Sequence, residues 1–573
     1  MPLRLRSDAW VVGDDEVALD SRVALAMGGS SVERHGGVPI IGIANSASGL
    51  NPCNQPLADL VGPVREGVER AGGIAVEFPC MSLGEDLMKP TAMLYRNLLA
   101  MEVEESLRSQ PLDGVVVLAA CDKSVPGALM GAFSTALPTL LVVAGPRPVA
   151  TFRGRRIGTG TDLWRLWDER RAGALDDEAW LELERSLSLG RGTCNTMGTA
   201  SSMGAVAEAL GIAWPGSTTV PAGDARHVET ARLVGGRVVE MVAAGVPMHE
   251  LVTDAAIDNA ITVLCALGGS TNAVIHLTAL ASRLGRPIEL SRFDEAGRSV
   301  PVLVDVEPSG SGLIEDLDRS GGIPAVMRSL GDLLDPEVVL ADGRTTGSLQ
   351  TASAAPGGVI RARHDPVDPH GAFRVVVGNL APDGALIKRS AASPELLQHR
   401  GPAVVMRDVA DVARRTGPTS TVARDAVLVL AGAGPVGGPG MPEWGMIPIP
   451  EPLLARGVTD MVRVTDARMS GTSFGTVFLH AAPEAAVGGT LGLVHDGDMI
   501  AVDADAGTIE LEVTDEELVA RAARRRPSHA SGRGYVSLYR RHVQQAPQGC
   551  DFDFLEPEVG RPPHLEEPVV GRS

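Results

Sequence analysis

Three of the six cysteines lie in similar settings among turn-forming residues: Cys53 in NPCNQP, Cys121 in AACDKSVPG and Cys194 in GRGTCNTMG. Each follows a strand-like or glycine-rich segment, and α/β proteins gather ligands in the loops after their strands. The helix-like TASSMGAVAEALG after Cys194 would favour a metal-binding thiolate. However, the separations of 68 and 73 residues fit no local metal motif. Taken alone, the residues therefore favour simple packing, which is common for free cysteine.

Acidic residues near these loops could bind a hard cation. Asp122 and Lys123 directly follow Cys121, while Glu85 lies in MSLGEDLMKP and Glu443 in GGPGMPEWG. Mg²⁺ prefers oxygen ligands, so one carboxylate from each of several loops could form its site. The competing interpretation is a solvated surface charge, the usual role of an isolated Asp or Glu.

Ser470 is a candidate for acid–base or nucleophilic chemistry. It stands in a glycine-flanked turn, DARMSGTSFG, after a predicted strand. The turn does not match GxSxG, and no histidine and acid partner can be assigned, so a hydrolase triad has little support. A serine in such a place more often only shapes the turn.

The segment GAGPVG (432–437) fits the dinucleotide-binding pattern GxGxxG after a predicted strand. Pro435, Pro439 and Pro442 crowd the place where the phosphate-binding helix would begin, and the pattern requires that helix. We therefore interpret the segment as a loop that presents Glu443.

Several other polar and thiol side chains are assigned structural roles. Ser270, Thr271 and Asn272 in GGSTNAVIHL mark a helix start, where such residues usually cap. His276 and His480 are interpreted as buried histidines that satisfy their hydrogen bonds. The remaining cysteines, Cys80, Cys265 and Cys550, are interpreted as thiols that pack in the core.

The elements that must position these residues change character along the chain. Up to about residue 330, apolar runs such as 38–46 and 114–120 alternate with helical patterns, which predicts an α/β domain with a mostly parallel sheet. Beyond a boundary near residue 370, short strands dominate, and residues 499–513 alternate like a hairpin. We predict a large N-terminal α/β domain, 1–370, and a smaller β-rich domain, 371–573.

Composition limits the function classes. The chain has 573 residues, 44% hydrophobic and 21% charged, which is typical of a folded protein. Its net charge of −20 argues against a general nucleic-acid binder, and a small anionic substrate would need a local positive centre. We expect no membrane span, no secretory signal and no disulfide framework, and hence a cytoplasmic location.

Ordered motifs resemble the dihydroxy-acid and sugar-acid dehydratase family. This ordered series spans nearly the whole chain and is far more specific than any one motif. It includes GIANS (42–46), PCN (52–54), CDK (121–123), GTCNTMGTASSM (192–203), GGSTNAVIHL (268–277), GNLAPDGALIK (378–388) and the long segment 466–498.

The resemblance implies a set of ligands and a base. Cysteines matching Cys53, Cys121 and Cys194 hold an iron–sulfur cluster in the family, [2Fe-2S] in many members and [4Fe-4S] in others. The Mg²⁺ ligands map onto Glu85, Asp122, Glu443 and Lys123, with the lysine as a carbamate, and the base maps onto Ser470. Family members are homodimers or homotetramers, so a homo-oligomer is expected. Many members have histidine at the position of Pro56 here.

The resemblance also implies a reaction, loss of water from a 2,3-dihydroxy acid to give a 2-keto-3-deoxy acid. Segments 81–106, 160–173, 468–480 and 539–555 look like the sugar-acid branch, close to L-arabinonate and D-xylonate dehydratases. The expected substrate is thus an aldonate, a pentonate in particular. The alternatives are dihydroxy-acid dehydratase of branched-chain amino-acid biosynthesis and a non-catalytic protein that retains the fold.

Overall fold

The computed structural model describes residues 5–30, 32, 36–349, 357–524, 532–557 and 559–560. Within these residues the chain forms an N-terminal α/β domain and a C-terminal β-barrel, which confirms the predicted fold class. The first barrel strand begins at Phe373, and the domain boundary near residue 370 stays a prediction. No helix of the described residues is both long and apolar enough to cross a membrane.

The N-terminal domain is built on a parallel sheet in the order β2-β1-β3-β4. The apolar run at 38–46 forms β1, and the run at 114–120 forms β3, whose residues are all buried. A two-stranded hairpin, β5 and β6, lies outside this sheet. The strands are β1 Ile40–Asn45, β2 Ile74–Pro79, β3 Gly114–Leu118, β4 Thr139–Val142, β5 Ala150–Phe152 and β6 Arg155–Ile157.

The C-terminal domain closes into a barrel in the order β10-β11-β12-β8-β7-β14-β13-β9. Strands β9 to β12 run parallel in sequence order, whereas β13 and β14 form the predicted antiparallel hairpin. Its strands are β7 Phe373–Gly378, β8 Ala381–Lys388, β9 Gln398–Met406, β10 Val427–Leu430, β11 Arg463–Thr465, β12 Val477–Ala482, β13 Met499–Asp503 and β14 Thr508–Leu511.

Helices surround the sheet and connect the two domains. The described helices are α1 Asp8–Val11, α2 Glu16–Met27, α3 Val61–Arg70, α4 Arg96–Ser109, α5 Ser124–Phe133, α6 Thr161–Arg171, α7 Asp177–Leu187, α8 Thr199–Ala209, α9 Arg226–Ala244, α10 Met248–Leu251, α11 Asp254–Ala266, α12 Thr271–Arg283, α13 Leu290–Ser299, α14 Ile314–Arg319, α15 Gly322–Leu330, α16 Thr346–Leu349, α17 Val409–Thr416, α18 Glu451–Leu454, α19 Asp515–Arg524 and α20 Tyr535–His542.

The end of the described chain returns to the N-terminal domain. Tyr539 and Phe552 pack with Leu94 and Ile275 in one buried cluster. The guanidinium of Arg283 on α12 pairs with Asp551, and both side chains are fully buried. A buried ion pair of this kind fixes the approach of two segments because losing either partner leaves an unpaired charge.

Lys388, the last residue of β8, is buried. It stands opposite Phe373 in the β7–β8 ladder, and Phe373 belongs to the N-terminal core. Its side-chain nitrogen has no hydrogen-bond partner among the described residues, and burial lowers its pKa to about 7. An unfolded lysine has a pKa of about 10.4. Between pH values of about 7 and about 10.4, the lysine is therefore mostly neutral in the folded protein and mostly protonated in the unfolded chain. Because the unfolded chain binds more protons, the free energy of unfolding rises with pH across this range.

We expect Lys388→Met to raise the free energy of unfolding at pH 7 by roughly 1–3 kcal/mol, because methionine fills the space without a charge. Thermal melts of both proteins at pH 7 and pH 9 measure the difference. The advantage of the variant should shrink at pH 9, where the lysine is neutral in the fold. A gain that stays constant with pH would contradict burial of an unpaired ammonium.

Candidate active site

The carboxyl ends of the parallel strands converge on one cavity of about 420 Å³. The chain reaches Cys53 after β1, Glu85 after β2, and Cys121 and Asp122 shortly after β3. Cys194, from the loop before α8, completes the set of thiols in this wall. Parallel strands bring their carboxyl ends to one edge, which explains how residues far apart in sequence meet.

Glu443 and Ser470 line the same cavity from the other side. Both belong to loops of the C-terminal domain, after β10 and β11 respectively. The cavity therefore lies between the two domains, and each domain supplies part of its polar wall.

Asn54 fixes the two cysteine loops of the sheet against each other. Its side-chain oxygen accepts hydrogen bonds from the backbone N–H groups of Cys121 and Ala120, at 2.9 and 3.2 Å. Its amide nitrogen donates to the hydroxyls of Ser46 and Ser124, each at 2.9 Å. One buried amide thus sets the spacing between the Cys53 and Cys121 loops.

The three thiols share a buried, cation-bearing environment. Cys53 and Cys121 are buried and Cys194 is half-buried. Interaction with the Cys53 thiol and burial raise the pKa of Cys121, and burial raises the pKa of Cys194 to about 12. Burial therefore outweighs the lowering of the Cys194 pKa that a helix N-terminus would cause. The helix is also not adjacent, because α8 begins five residues later at Thr199. Burial lowers the pKa of Arg147, but the nearby Cys194 and Cys53 sulfurs raise it, and the net change is an increase.

The three predicted carboxylates meet around a buried lysine. Glu85, Asp122 and Glu443 each offer an oxygen, and these atoms lie within 4.8 Å of one another. The Lys123 ammonium pairs with Asp122 and lies 3.5 Å from Glu85 Oε1 and 3.6 Å from Glu443 Oε1. The lysine side chain is fully buried. The structure therefore brings together all four oxygen-ligand candidates that the sequence singled out.

Arg468 is a functional candidate that the sequence analysis missed. Its guanidinium is fully buried, lies 2.8 Å from Glu443 Oε1 and 3.5 Å from Glu85 Oε1, and donates to Thr91 Oγ1 at 3.1 Å. Arg468 lies two residues before Ser470 in the segment DARMSGTSFG. Its place in this segment is the sequence feature that could have identified it as a site residue. A fixed fork of donors suits it to hold two carboxylates in place.

Asn272 is a second residue whose role emerges only from the fold. Its amide nitrogen donates to Glu443 Oε1 at 2.9 Å and to the backbone oxygen of Met469 at 3.2 Å. It therefore connects a carboxylate of the cluster with the turn that carries Ser470. The neighbouring Ser270 caps α12 as predicted, with its side chain accepting from the Asn272 backbone N–H.

The glycine-rich segment 432–437 begins the loop after β10 that leads to Glu443, and its backbone donors are used within the protein. Asp466 accepts from the backbone N–H of Ala433 at 2.9 Å. Glu484 accepts from the N–H groups of Val436 and Gly437, at 2.7 and 2.9 Å. In the described stretch 357–524, no helix begins between this loop and Glu451, so it lacks the element that binds a dinucleotide phosphate.

The residues assigned to packing lie outside the cavity wall. Cys80, Cys265 and Cys550 are buried, and none of them is among the described residues that line the cavity. His276 is fully buried, with Nδ1 3.1 Å from Arg96 Nη1, and burial together with Arg96 lowers its pKa. The expectation that the buried histidines satisfy their hydrogen bonds is wrong at one atom of each ring, because Nε2 of His276 and Nε2 of His480 have no partner among the described residues. Pro56 lies in the first turn of the short 3₁₀ helix Gln55–Leu60 and is likewise outside the described lining.

The donor set fits two different metal groups. Three thiols at one end match the soft ligands that iron–sulfur clusters use. The carboxylate cluster matches a hard divalent cation, but an unmodified Lys123 ammonium already occupies the place between those carboxylates. Conversion of this amine to a carbamate would remove a competing positive charge and add oxygen ligands. With Lys123 modified in this way, the three carboxylates would suit a divalent cation such as Mg²⁺.

Comparison with known proteins places the chain in a family. It matches the N-terminal domain of the dihydroxy-acid/6-phosphogluconate dehydratases over residues 38–349 and the C-terminal domain over 358–550. The chain therefore belongs to the dihydroxy-acid/6-phosphogluconate dehydratase family. It is an enzyme, a dehydratase of the hydro-lyase type.

Named relatives span several dehydratases. A 6-deoxy-6-sulfo-D-gluconate dehydratase of Pseudomonas putida is 45% identical, with 96% of each chain covered. An L-arabinonate dehydratase of Rhizobium leguminosarum bv. trifolii is 43% identical, with 97% of each chain covered. A dihydroxy-acid dehydratase of Moorella thermoacetica is 35% identical, covering 95% of this chain and 100% of the relative.

Proposed function

We propose that this enzyme dehydrates an aldonic acid, a pentonate in particular, to the corresponding 2-keto-3-deoxy acid. The observation that carries the proposal is one cavity whose wall contains three thiols, Ser470 and the three clustered carboxylates of Glu85, Asp122 and Glu443. Soft and hard ligand sets side by side suit a substrate that must be held at its carboxylate and must lose the hydroxyl of its β-carbon, C3.

Cys53, Cys121 and Cys194 would hold the iron–sulfur cluster, [2Fe-2S] by family precedent, with [4Fe-4S] as the alternative. Glu85, Asp122, Glu443 and carbamylated Lys123 would hold Mg²⁺. When bound, these groups supply Lewis acidity toward the leaving hydroxyl and stabilise negative charge at the carboxylate end of the substrate. This positive centre is what an acidic protein needs to attract an anionic substrate.

Ser470 would accept the C2 proton of the substrate. The C3 hydroxyl leaves with its bonding electrons, a C2–C3 double bond forms, and the proton and hydroxide together make up the water that is lost. The resulting enol loses the proton of its C2 hydroxyl and gains one at C3, which gives the 2-keto acid, so no oxidant or reductant is consumed. Asn272 and Arg468 hold the Glu443 carboxylate in place during these steps.

The relatives support a sugar-acid substrate over the branched-chain alternative. The relatives at 43% and 45% identity are named as dehydratases of L-arabinonate and of 6-deoxy-6-sulfo-D-gluconate, whereas the dihydroxy-acid dehydratase is at 35%. A D-xylonate dehydratase of Caulobacter vibrioides is 33% identical, so identity alone does not rank the pentonates.

We expect kcat/KM for the best pentonate to exceed that for 2,3-dihydroxyisovalerate by at least about 100-fold, since a site built to bind hydroxyls discriminates against analogues that lack them. The measurement is 2-keto acid release by anaerobically purified enzyme from a panel of pentonates and hexonates. Faster turnover of 2,3-dihydroxyisovalerate would assign the enzyme to the branched-chain reaction. Protein that binds both metal groups and turns over neither class would favour a non-catalytic role.

The remaining expectations concern assembly and location. We propose a homodimer or homotetramer in the cytoplasm, with a small-molecule substrate and with no nucleic-acid or membrane partner. Light scattering of the purified protein measures the first of these directly.

A further inference from the structure

The hydroxyl of Ser470 lies at the end of a short chain of hydrogen bonds that starts on helix α6. The indole Nε1 of Trp164 donates to Thr472 Oγ1 at 3.3 Å. Thr472 Oγ1 lies 2.9 Å from Ser470 Oγ. The backbone N–H of Thr472 also points to Ser470 Oγ, at 3.4 Å.

The chemistry of the indole gives this chain a direction. An indole N–H can only donate, so Thr472 Oγ1 must accept from Trp164. In the described part of the chain, Ser470 Oγ is the other hydrogen-bond partner of the Thr472 hydroxyl. The Thr472 hydroxyl has one proton of its own, and it can form a second hydrogen bond by donating that proton to Ser470 Oγ. Ser470 is then the acceptor, and its own proton is left to face the cavity.

The surroundings of Thr472 hold its hydroxyl in this position. A side-chain carbon at Gly160 would lie 2.4 Å from Thr472 Oγ1, and one at Gly198 would lie 2.8 Å from Thr472 Cγ2. Thr161 Oγ1 donates to the backbone oxygen of Thr472 at 2.8 Å. Thr472 is only 4% exposed. The two glycines leave room for its side chain and Thr161 fixes its backbone, so the hydroxyl is held in one position.

We propose that Trp164 is a positioning residue that directs the Thr472 hydroxyl toward Ser470, so that Ser470 Oγ is kept as a hydrogen-bond acceptor in the catalytic cavity. This inference rests on the proposed role of Ser470 as the base. An oxygen that accepts two donors is better able to bear the negative charge of an alkoxide, because each donated hydrogen bond favours the charged form. Without the indole donor, the pair can reverse, and Ser470 then donates its proton to Thr472.

A simpler role for Trp164 is that of a cavity wall. Its side chain lines the cavity and is 37% exposed. A residue that only forms part of the cavity wall would bind the substrate and the transition state equally well, so its loss would change KM and not kcat. A residue that directs Ser470 affects kcat, and only while Thr472 has a hydroxyl.

A double-mutant cycle separates the two roles. We expect Trp164→Phe, which keeps an aromatic ring and removes the donor, to lower kcat by roughly tenfold, with KM changed by less than about twofold. Thr472→Val removes the hydroxyl at nearly constant volume and should lower kcat at least as much. Adding Trp164→Phe to Thr472→Val should cause no further loss, whereas adding it to Thr472→Ser should cause the same loss as in the wild type.

Trp180→Phe is the matched control. Trp180 packs 5.6 Å from Trp167, between ring centroids, in the same small cluster as Leu163 of α6, but it lies outside the described cavity lining. It should leave kcat and KM unchanged. Losses for Trp164→Phe and Thr472→Val that multiply, or a Trp164→Phe effect confined to KM, would overturn the positioning role. Full activity in Ser470→Ala would instead overturn the proposed base, so the two failures are distinguishable.

Discussion

Ser470→Ala is expected to lower kcat by about 10³-fold while the protein keeps its iron and its visible absorbance. A positioned general base contributes about 10²- to 10⁴-fold to such a rate, and alanine removes the proton acceptor without touching any thiol or carboxylate. Rapid chemical assay of 2-keto acid release, together with the absorbance spectrum of the same sample, measures both halves of the expectation.

Ser473→Ala is the matched control for this variant. Ser473 lies three residues away, is fully buried, and its hydroxyl has no hydrogen-bond partner in the part of the chain that the structure describes. Its replacement should leave kcat unchanged. Near-normal turnover in Ser470→Ala would remove the base assignment, and loss of absorbance in that variant would show that the turn supports the metal site instead.

Cys121→Ser is expected to have the second large effect, a loss of bound iron by roughly tenfold or more. Iron–sulfur clusters are held by thiolates, and a serine oxygen is a much poorer ligand for them. Cys121 lies three residues after the end of β3, and its backbone is fixed to the Cys53 loop by Asn54, which holds this thiol in the cavity wall. Turnover should fall with the iron content.

Cys80→Ser controls for the loss of a buried thiol as such. Cys80 follows β2, a strand of the same sheet, is buried, and packs in the hydrophobic core rather than in the cavity wall. Metal analysis of both variants after anaerobic purification should show normal iron in Cys80→Ser. Equal iron in Cys121→Ser and the wild type would exclude this thiol as a ligand.

The two domains differed in how much of their structure the sequence could predict. The strand and helix alternation before residue 330 follows from hydrophobic periodicity, and β1 and β3 lie within the apolar runs at 38–46 and 114–120. The order of the barrel strands could not be derived in this way. The pairing of β7 with β14 joins segments more than 120 residues apart, and periodicity carries no information about such partners.

The site residues were identifiable from the sequence only through resemblance. Separations of 68 and 73 residues hide the thiol set because Cys53, Cys121 and Cys194 come from different loops at one sheet edge. Arg468 and Asn272 were missed for a different reason. A buried arginine looks like a surface arginine in sequence, and a helix-start asparagine looks like a cap, until the fold shows the carboxylate that each one contacts.

The most direct test of the proposed function is 2-keto acid formation from pentonates by anaerobically purified enzyme that contains iron and is supplied with Mg²⁺. We predict release of a 2-keto-3-deoxy acid from at least one pentonate, dependent on Mg²⁺ and lost in Ser470→Ala. Enzyme with a full complement of iron and Mg²⁺ that forms no 2-keto acid from any pentonate or hexonate would contradict it.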